Sequence, residues 1–394
     1  MYLKSIKVQH YKSLGDMSVD FAHDVTVIVG PNGVGKSNFV DVLRFLHDAV
    51  TSDLEHAITK REGIGRLLQS YKTKPYKIGL QSEFWSSNST ESITANYDLQ
   101  LKAIGRSNYA VDSESINYFN FLSVDPKNAF ILYQRNEKDM PFDALVLGST
   151  LPTKGLNRLI ASKDETIVAG NEIAEHISKW NYCTIYPNTL KKPALPDRDT
   201  ALMESGENWA SVIKALKRSP KGRDALEQIY DSMRAVLPTF EDVGIQTIGS
   251  YLVPLFNFRG EGKKNITGFD PVQLSDGTLR LFGILLAAYQ LPRPSLLVIE
   301  EPEQTIYPGA LGVLADVFKE IGQTTQVIIT THSPHLVQYF SPEQIRVATM
   351  HLGLTAIRPI HPHQMEAVHE GLLSLEEFMT GEGLRPDDTQ LPQQ

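Results

Sequence analysis

The sequence has a single cysteine among 394 residues, Cys183. One thiol forms no internal disulfide, which points to a reducing cytoplasm. Set beside Trp180 and Tyr182 it reads as a small buried hydrophobe, and no cysteine nucleophile is expected. Long apolar runs are missing too: the longest, Leu281 to Ala288, contains Gly283 and falls far short of the roughly 20 residues that cross a bilayer. The start, MYLKSIKVQH, lacks the apolar core of a secretory signal. Positive charge is not in excess either, since 38 Lys+Arg against 46 Asp+Glu leave a net charge of −8. That argues against a basic coat for nucleic acid or acidic membranes, leaving only a local basic groove as a route to DNA. No solenoid or propeller repeat and no low-complexity tract is present.

What remains is ordinary globular composition, 41% hydrophobic and 21% charged, at a length that fits two or three domains or one large domain with an insertion. Residues 3 to 9 and 17 to 21 alternate apolar and polar and read as an edge hairpin. Asp24 to Val29 is a short β-branched run, the pattern of a strand buried on both faces. It feeds Gly30-Pro31-Asn32-Gly33-Val34-Gly35-Lys36-Ser37, after which Phe39, Val40, Val42, Leu43, Phe45 and Leu46 recur at helical spacing. Residues 77 to 84 and 92 to 101 read as meander strands turning at Ser86 to Ser89. From about 105 to 250 short strand-like pieces (FILYQ, ALVLG) give way to helices at 207 to 218 and 223 to 236, a texture expected of an insertion or lid. A second αβ part then begins with the strand YLVPLFNF, a Gly/Lys-rich loop at 260 to 268, and Leu274 to Thr278 opening an apolar helix. Two further buried strands end in Glu300-Glu301 and in Thr331-His332-Ser333. The tail from Leu384 is polar and expected to fray.

The run Gly30 to Ser37 fits G-x-x-x-x-G-K-[ST]. Its glycines let backbone N–H groups turn inward around phosphate oxygens at a helix N-terminus, Lys36 brings charge to the β/γ-phosphates, and the Ser37 hydroxyl is a Mg²⁺ ligand. Asn32, Gly33, Gly35, Lys36, Ser37 and Asn38 are the nucleotide-binding candidates. Two adjacent carboxylates at a buried strand's C-terminal end need a cation or a proton. Glu300 is the metal candidate and Glu301 the residue that orients or deprotonates the attacking water. His332 ends another buried strand, where an imidazole reaches a γ-phosphate or its water. Ser275 and Gly277 offer a second phosphate-binding helix start. One ATP does not easily use two helix N-termini of one subunit, so two chains head to tail around the nucleotide are expected. The plain alternative is that Ser275 is an N-cap.

The set GPNGVGKS, LSDGTLR, LLVIEEPE and TTHSPHLV resembles the RecF/SMC-like branch of ABC-type ATPases, often called AAA family ATPases, including the heads of OLD-family proteins. IKVQHYKSLGDMSVDF is similar to that branch's N-terminal strand pair and FMTGEGL to its closing segment. The resemblance covers about 1 to 100 and 250 to 383. It implies an α/β ABC-type P-loop ATPase head with a mixed central sheet, an N-terminal antiparallel β-subdomain and a mixed or helical insertion. The divisions are 1–104, 105–249, 250–383 and a tail at 384–394. It further implies Lys36 and Ser37 on phosphate and Mg²⁺, Ser275 and Gly277 as a signature given in trans, Glu301 as catalytic base and His332 as switch histidine. Glu300 replaces the usual aspartate, Tyr307-Pro308 a common His-Pro, and Gln81 is a weak candidate for the Q-loop glutamine. No heptad arms occupy 105 to 250.

OLD-type nucleases continue into a Toprim domain for which this sequence leaves no room, so a nuclease or toxin partner is expected on a separate chain. The implied activity is ATP hydrolysis coupled to DNA transactions or bacteriophage defence. A slow nucleotide-gated scaffold that holds an effector is the alternative, and a transporter subunit fits less well because its aromatic stacking loop is missing. For DNA, Lys214, Lys217, Arg218, Lys221 and Arg223 read equally as a phosphate-binding stripe or as a solvated helix end. Lys191-Lys192 and Lys72, Lys74 and Lys77 are weaker candidates. His361 and His363 have metal-like spacing but no acidic or cysteine companions.

Overall fold

The computed structural model describes residues 1–68, 76–87, 92–105, 108–120, 129–136, 172–260 and 266–388. The central sheet has six strands in the order Leu354–Pro359, Ile345–His351, Val25–Val29, Gln326–Thr331, Leu296–Glu300 and Trp180–Cys183. Neighbours are parallel except for the hairpin of the first two, so the sheet is mixed. Val25–Val29 and Gln326–Thr331 are buried along their whole length, as a parallel sheet covered on both faces requires.

Side chains alternate between two layers because successive Cβ atoms point to opposite faces. Val25, Val27, Val29, Leu297, Ile299, Val327 and Ile329 join the core beneath the helices Trp209–Leu216, Pro220–Val236, Asp276–Tyr289 and Leu311–Gly322. Ile28, Leu296, Val298 and Ile328 join a second core shared with the helix Lys36–Thr51 and an N-terminal antiparallel sheet. That second sheet runs Met17–Asp20, Tyr2–Gln9, Lys77–Ser87, Ser92–Ile104, Asn108–Asn120, Ala129–Asn136. Buried Gln326 rivets it to the central sheet: its Oε1 accepts from the Leu3 amide at 3.0 Å, and its Nε2 donates to the carbonyls of Leu3 at 2.8 Å and Ala22 at 2.9 Å. A third sheet of three strands, Phe240–Ile248, Tyr251–Arg259 and Ile266–Phe269, is antiparallel.

The stretch 105–249, expected as an insertion or lid, takes part in all three sheets. This stretch supplies Asn108–Asn120 and Ala129–Asn136 to the N-terminal sheet and Phe240–Ile248 to the three-stranded one. Its strand Trp180–Cys183 is an edge of the central sheet, in parallel register with Leu296–Glu300. A four-residue strand whose partner lies more than a hundred positions away carries no local signal. Residues 266–268, expected within a loop, belong to the strand Ile266–Phe269. The tail is not frayed up to 388: Ile360 bridges Pro386, and the Asp387 amide donates to Pro359 O at 2.8 Å. Ser86 and Ser87, expected in a turn, end the strand Lys77–Ser87; Asn88 and Ser89, the piece ALVLG and residues 389–394 lie outside the described residues. Among the described residues no helix is long and apolar enough to cross a membrane.

Candidate functional site

Three adjacent parallel strands bring the motifs to one rim. Val25–Val29, Gln326–Thr331 and Leu296–Glu300 end side by side, and from their C-terminal ends emerge the glycine loop, His332 and Glu300-Glu301. The rim of an open sheet at this end is where ligands bind.

The loop enters the helix Lys36–Thr51 through Gly35, an N-cap with φ 101° and no side-chain capping bond. The first-turn N–H groups are therefore left to an external acceptor. Gly33 has φ 79°, and a Cβ there would meet nothing within 4 Å, so its need is conformational. At Gly35 a Cβ would also fall 2.1 Å from Thr355 Oγ1. Asn32, Gly33 and Ser37 are exposed. The buried Lys36 ammonium donates to the carbonyls of Gly30 at 2.6 Å and Pro31 at 3.0 Å. Burial pulls its pKa below the usual lysine range, opposed by the field of Glu301, Glu303 and Glu300. Asn38 is engaged elsewhere: its amide donates to Ser13 Oγ at 2.8 Å, which bonds Thr355 Oγ1 at 2.7 Å, which in turn donates to Val34 O at 2.8 Å. Asn38 thus braces the loop through its side chain.

At the neighbouring strand end, Glu300 Oε1 accepts from Arg44 Nη2 at 2.8 Å, and the same nitrogen reaches Glu204 Oε1 at 2.5 Å. Burial works against the Arg44 cation, but Glu204 and Glu300 outweigh it and its pKa ends raised. Arg44 lies seven residues beyond Ser37 on one helix, two turns on, so both occupy one face. Glu301 takes φ 46°, a conformation L side chains rarely adopt. Its amide donates to Thr330 O at 2.8 Å, its carbonyl accepts from Arg280 Nη2 at 2.9 Å, and its carboxylate takes the Gln304 amide.

His332 Nδ1 stands between two carboxylates, 3.5 Å from Glu301 Oε1 and 3.4 Å from Glu303 Oε1. Glu303 Oε1 also accepts from the Thr331 hydroxyl at 2.7 Å and the His332 amide at 3.2 Å. Sequence reasoning missed Glu303, Arg44 and Arg280. Glu303 sits in the same EEPE run as Glu301, and Arg44 repeats the face of Ser37; these were the available signals.

Ser275 and Gly277 are not in the hydrogen-bonding set of that rim. Ser275 caps its own helix, accepting from the Thr278 amide at 3.1 Å, so the N-cap reading holds in geometry. A Cβ on Gly277 would lie 2.4 Å from Thr305 O, which makes this glycine a close-packing position. Asp276 pairs with Lys191 at 2.6 Å. The link to the rim is Arg280 of the same helix, whose Nη1 donates to Ile185 O at 2.8 Å while Nη2 holds Glu301 O.

Other candidates fall elsewhere. Gln81 is in mid-strand, donating to Asp98 at 2.5 Å, and does not join the site. In the basic stripe Lys217 donates to Val243 O at 2.6 Å and Arg223 to Lys217 O at 3.2 Å, while Lys214, Arg218 and Lys221 are exposed. Lys77 pairs with Asp112 at 2.7 Å; Lys72 and Lys74 lie outside the described residues. His361 caps the helix Pro362–His369 with its ring stacked on His363. Cys183 is buried, and burial pushes its thiol up to about 12.

An uncapped glycine-loop helix facing acidic and histidine strand ends across one rim of a parallel sheet defines a P-loop ATPase of the α/β class. Residues 1–183 match the family described as "AAA ATPase domain" and residues 170–338 the one described as "AAA domain, putative AbiEii toxin, Type IV TA system". The chromosome partition protein Smc of Fusobacterium nucleatum is 50% identical over 44 residues, 11% of this chain and 4% of that protein. Smc of Bacillus subtilis is 49% identical over 47 residues, 12% of this chain and 4% of that protein. The match thus spans only a small part of these relatives. A crystal structure of the Smc head bound to the C-winged helix domain of ScpA shares the fold with a TM-score of 0.54 at 11% identity, covering 93% of this chain and 99% of that one. The two AAA family models together span residues 1–338, and the chain is an AAA-type ATPase with the fold of an SMC head.

Proposed function

We propose that this ATPase closes head to tail with a second copy around ATP and Mg²⁺, and that closure gates an effector on a separate chain or a transaction on DNA. The observation that carries this reading is the division of the motifs: Lys36, Glu300, Glu301 and His332 converge on one rim, whereas exposed Ser275 heads a different helix and bonds within its own first turn. A second copy supplies the missing half.

Bound ATP with Mg²⁺ supplies a γ-phosphate activated for transfer to water. The uncapped N-terminus of Lys36–Thr51 fits a phosphate, and Lys36 exchanges its two loop carbonyls for phosphate oxygens. Among the described residues no group of three His, Cys, Asp or Glu side chains could hold a metal. Ser37 and Glu300 would hold a Mg²⁺ that arrives with the nucleotide, and the ion would offset charge on the phosphates. Glu301 accepts a proton from the attacking water, and His332, oriented by Glu303, donates toward the γ-phosphate. Ser275 and the N–H groups behind it serve the partner's nucleotide.

The effector half of the proposal, a nuclease or toxin chain in bacteriophage defence, is supported by the toxin–antitoxin wording of the family matched by residues 170–338. The lone buried Cys183 supports a cytoplasmic setting. The decisive experiment is gel filtration of Glu301→Gln with and without ATP and Mg²⁺: a nucleotide-dependent dimer is expected, and a monomer under both conditions would refute head-to-tail closure. A slow, nucleotide-gated scaffold is the second reading, favoured by the engagement of Glu300 with Arg44. Steady-state turnover with and without DNA separates the two.

A further inference from the structure

The cluster of Arg44, Glu300 and Glu204 is shared in an uneven way. Nη2 of Arg44 serves both carboxylates and lies 3.4 Å from Thr184 Oγ1, while Nε is buried with no partner. An arginine at rest on one carboxylate commonly engages it through two nitrogens. Here Glu300 is held through a single shared one, although both side chains are mostly buried, 19% and 16% exposed.

Release of Glu300 would not strand the guanidinium. It keeps Glu204, and it stacks 5.1 Å from the Tyr182 ring centroid. Arg44 projects from the same face of Lys36–Thr51 as Ser37, two turns on, and so links Glu300 to the helix that carries the phosphate loop. On the ATPase reading, the carboxylate of Glu300 would be contested by two cations, the Arg44 guanidinium and a divalent ion arriving with the nucleotide.

We propose that Arg44 is a positioning residue that holds Glu300 until Mg²⁺ displaces it, so that the strength of the Arg44–Glu300 pair sets the Mg²⁺ concentration at which nucleotide is retained. Glu204 tunes this pair by drawing on the same nitrogen. The inference rests on the ATPase reading above and deepens it. Its signature is a pair of opposite shifts. Loss of the Arg44 charge frees Glu300 for the metal, whereas loss of the Glu204 charge leaves Arg44 wholly to Glu300.

The test is a Mg²⁺ titration of the full chain with a fluorescent ATP analogue, read by anisotropy so that turnover plays no part. Arg44→Gln should lower the half-saturating Mg²⁺ by about fivefold, the scale of one partly exposed ion pair. Glu204→Gln, at a residue 45% exposed, should raise it by about twofold. Unchanged midpoints, or shifts of one sign in both variants, would overturn the proposal. Should Arg44→Gln fail to fold, the upward shift of Glu204→Gln supports the proposal and its absence overturns it. A wild-type chain with no Mg²⁺-dependent nucleotide binding would instead overturn the ATPase reading itself.

Discussion

Glu303 accepts the Thr331 hydroxyl at 2.7 Å and the amide of His332 at 3.2 Å with one oxygen, while its other oxygen is buried without a partner. A carboxylate so placed fixes the turn that presents His332. Glu303→Gln replaces one acceptor oxygen by a donor and loosens that turn. ATP turnover should fall by about tenfold or more, with KM for ATP nearly unchanged. A kcat equal to wild type would show that His332 needs no such support.

Glu301→Gln keeps the shape of the side chain and its contact with Gln304 but removes the proton acceptor. Turnover should drop by about a hundredfold or more, and ATP should remain bound. Rapid filtration with labelled ATP measures both. Normal hydrolysis would remove Glu301 from its role.

Lys36→Ala leaves the loop carbonyls of Gly30 and Pro31 without their donor and the phosphates without their charge. Nucleotide binding should be lost in equilibrium dialysis while the far-ultraviolet circular dichroism stays that of the wild type.

At the helix Asp276–Tyr289 the two predictions diverge. Ser275→Ala removes an N-cap and should lower stability by about 1 kcal/mol, yet abolish ATP-driven association. Gly277→Ala drives a methyl against Thr305 O, which belongs to the backbone and cannot swing aside, so a loss of about 1–3 kcal/mol is expected in urea melts.

His176 should make the fold acid-sensitive. It is buried edge-on to Phe84 and Trp180, and burial pushes its imidazole down to about 3. Between that value and about 6.5 the unfolded chain binds a proton that the native one refuses. Stability is thus fully present above about 6.5 and declines by about 1.4 kcal/mol per unit as pH falls toward the folded value. His176→Phe should flatten that slope in urea melts at successive pH values. An unchanged slope would assign the acid sensitivity to other groups.

Much of the site was legible because its motifs are contiguous. A phosphate loop needs glycines, a lysine and a hydroxyl in one tight turn, so Gly30 to Ser37 announces itself, and buried strands that end in charge announce Glu300, Glu301 and His332. The hold of Ser13, itself bonded to Thr355, on the Asn38 side chain was not legible, because these residues are far apart in sequence. Within 105–249, Trp180–Cys183 is too short to signal a sheet strand, and only pairing with Leu296–Glu300 makes it one.

The sequence by itself determined the phosphate loop, the charged ends of the buried strands and the resemblance to an ATPase head, because these depend on residues next to one another and on the period of burial. Only the tertiary structure decided which side chains face them. Arg44 on Glu300, Glu303 beneath His332 and Arg280 on the carbonyl of Glu301 arise from the order in which parallel strands lie side by side, and that order is set by hydrogen bonds between segments up to some three hundred residues apart.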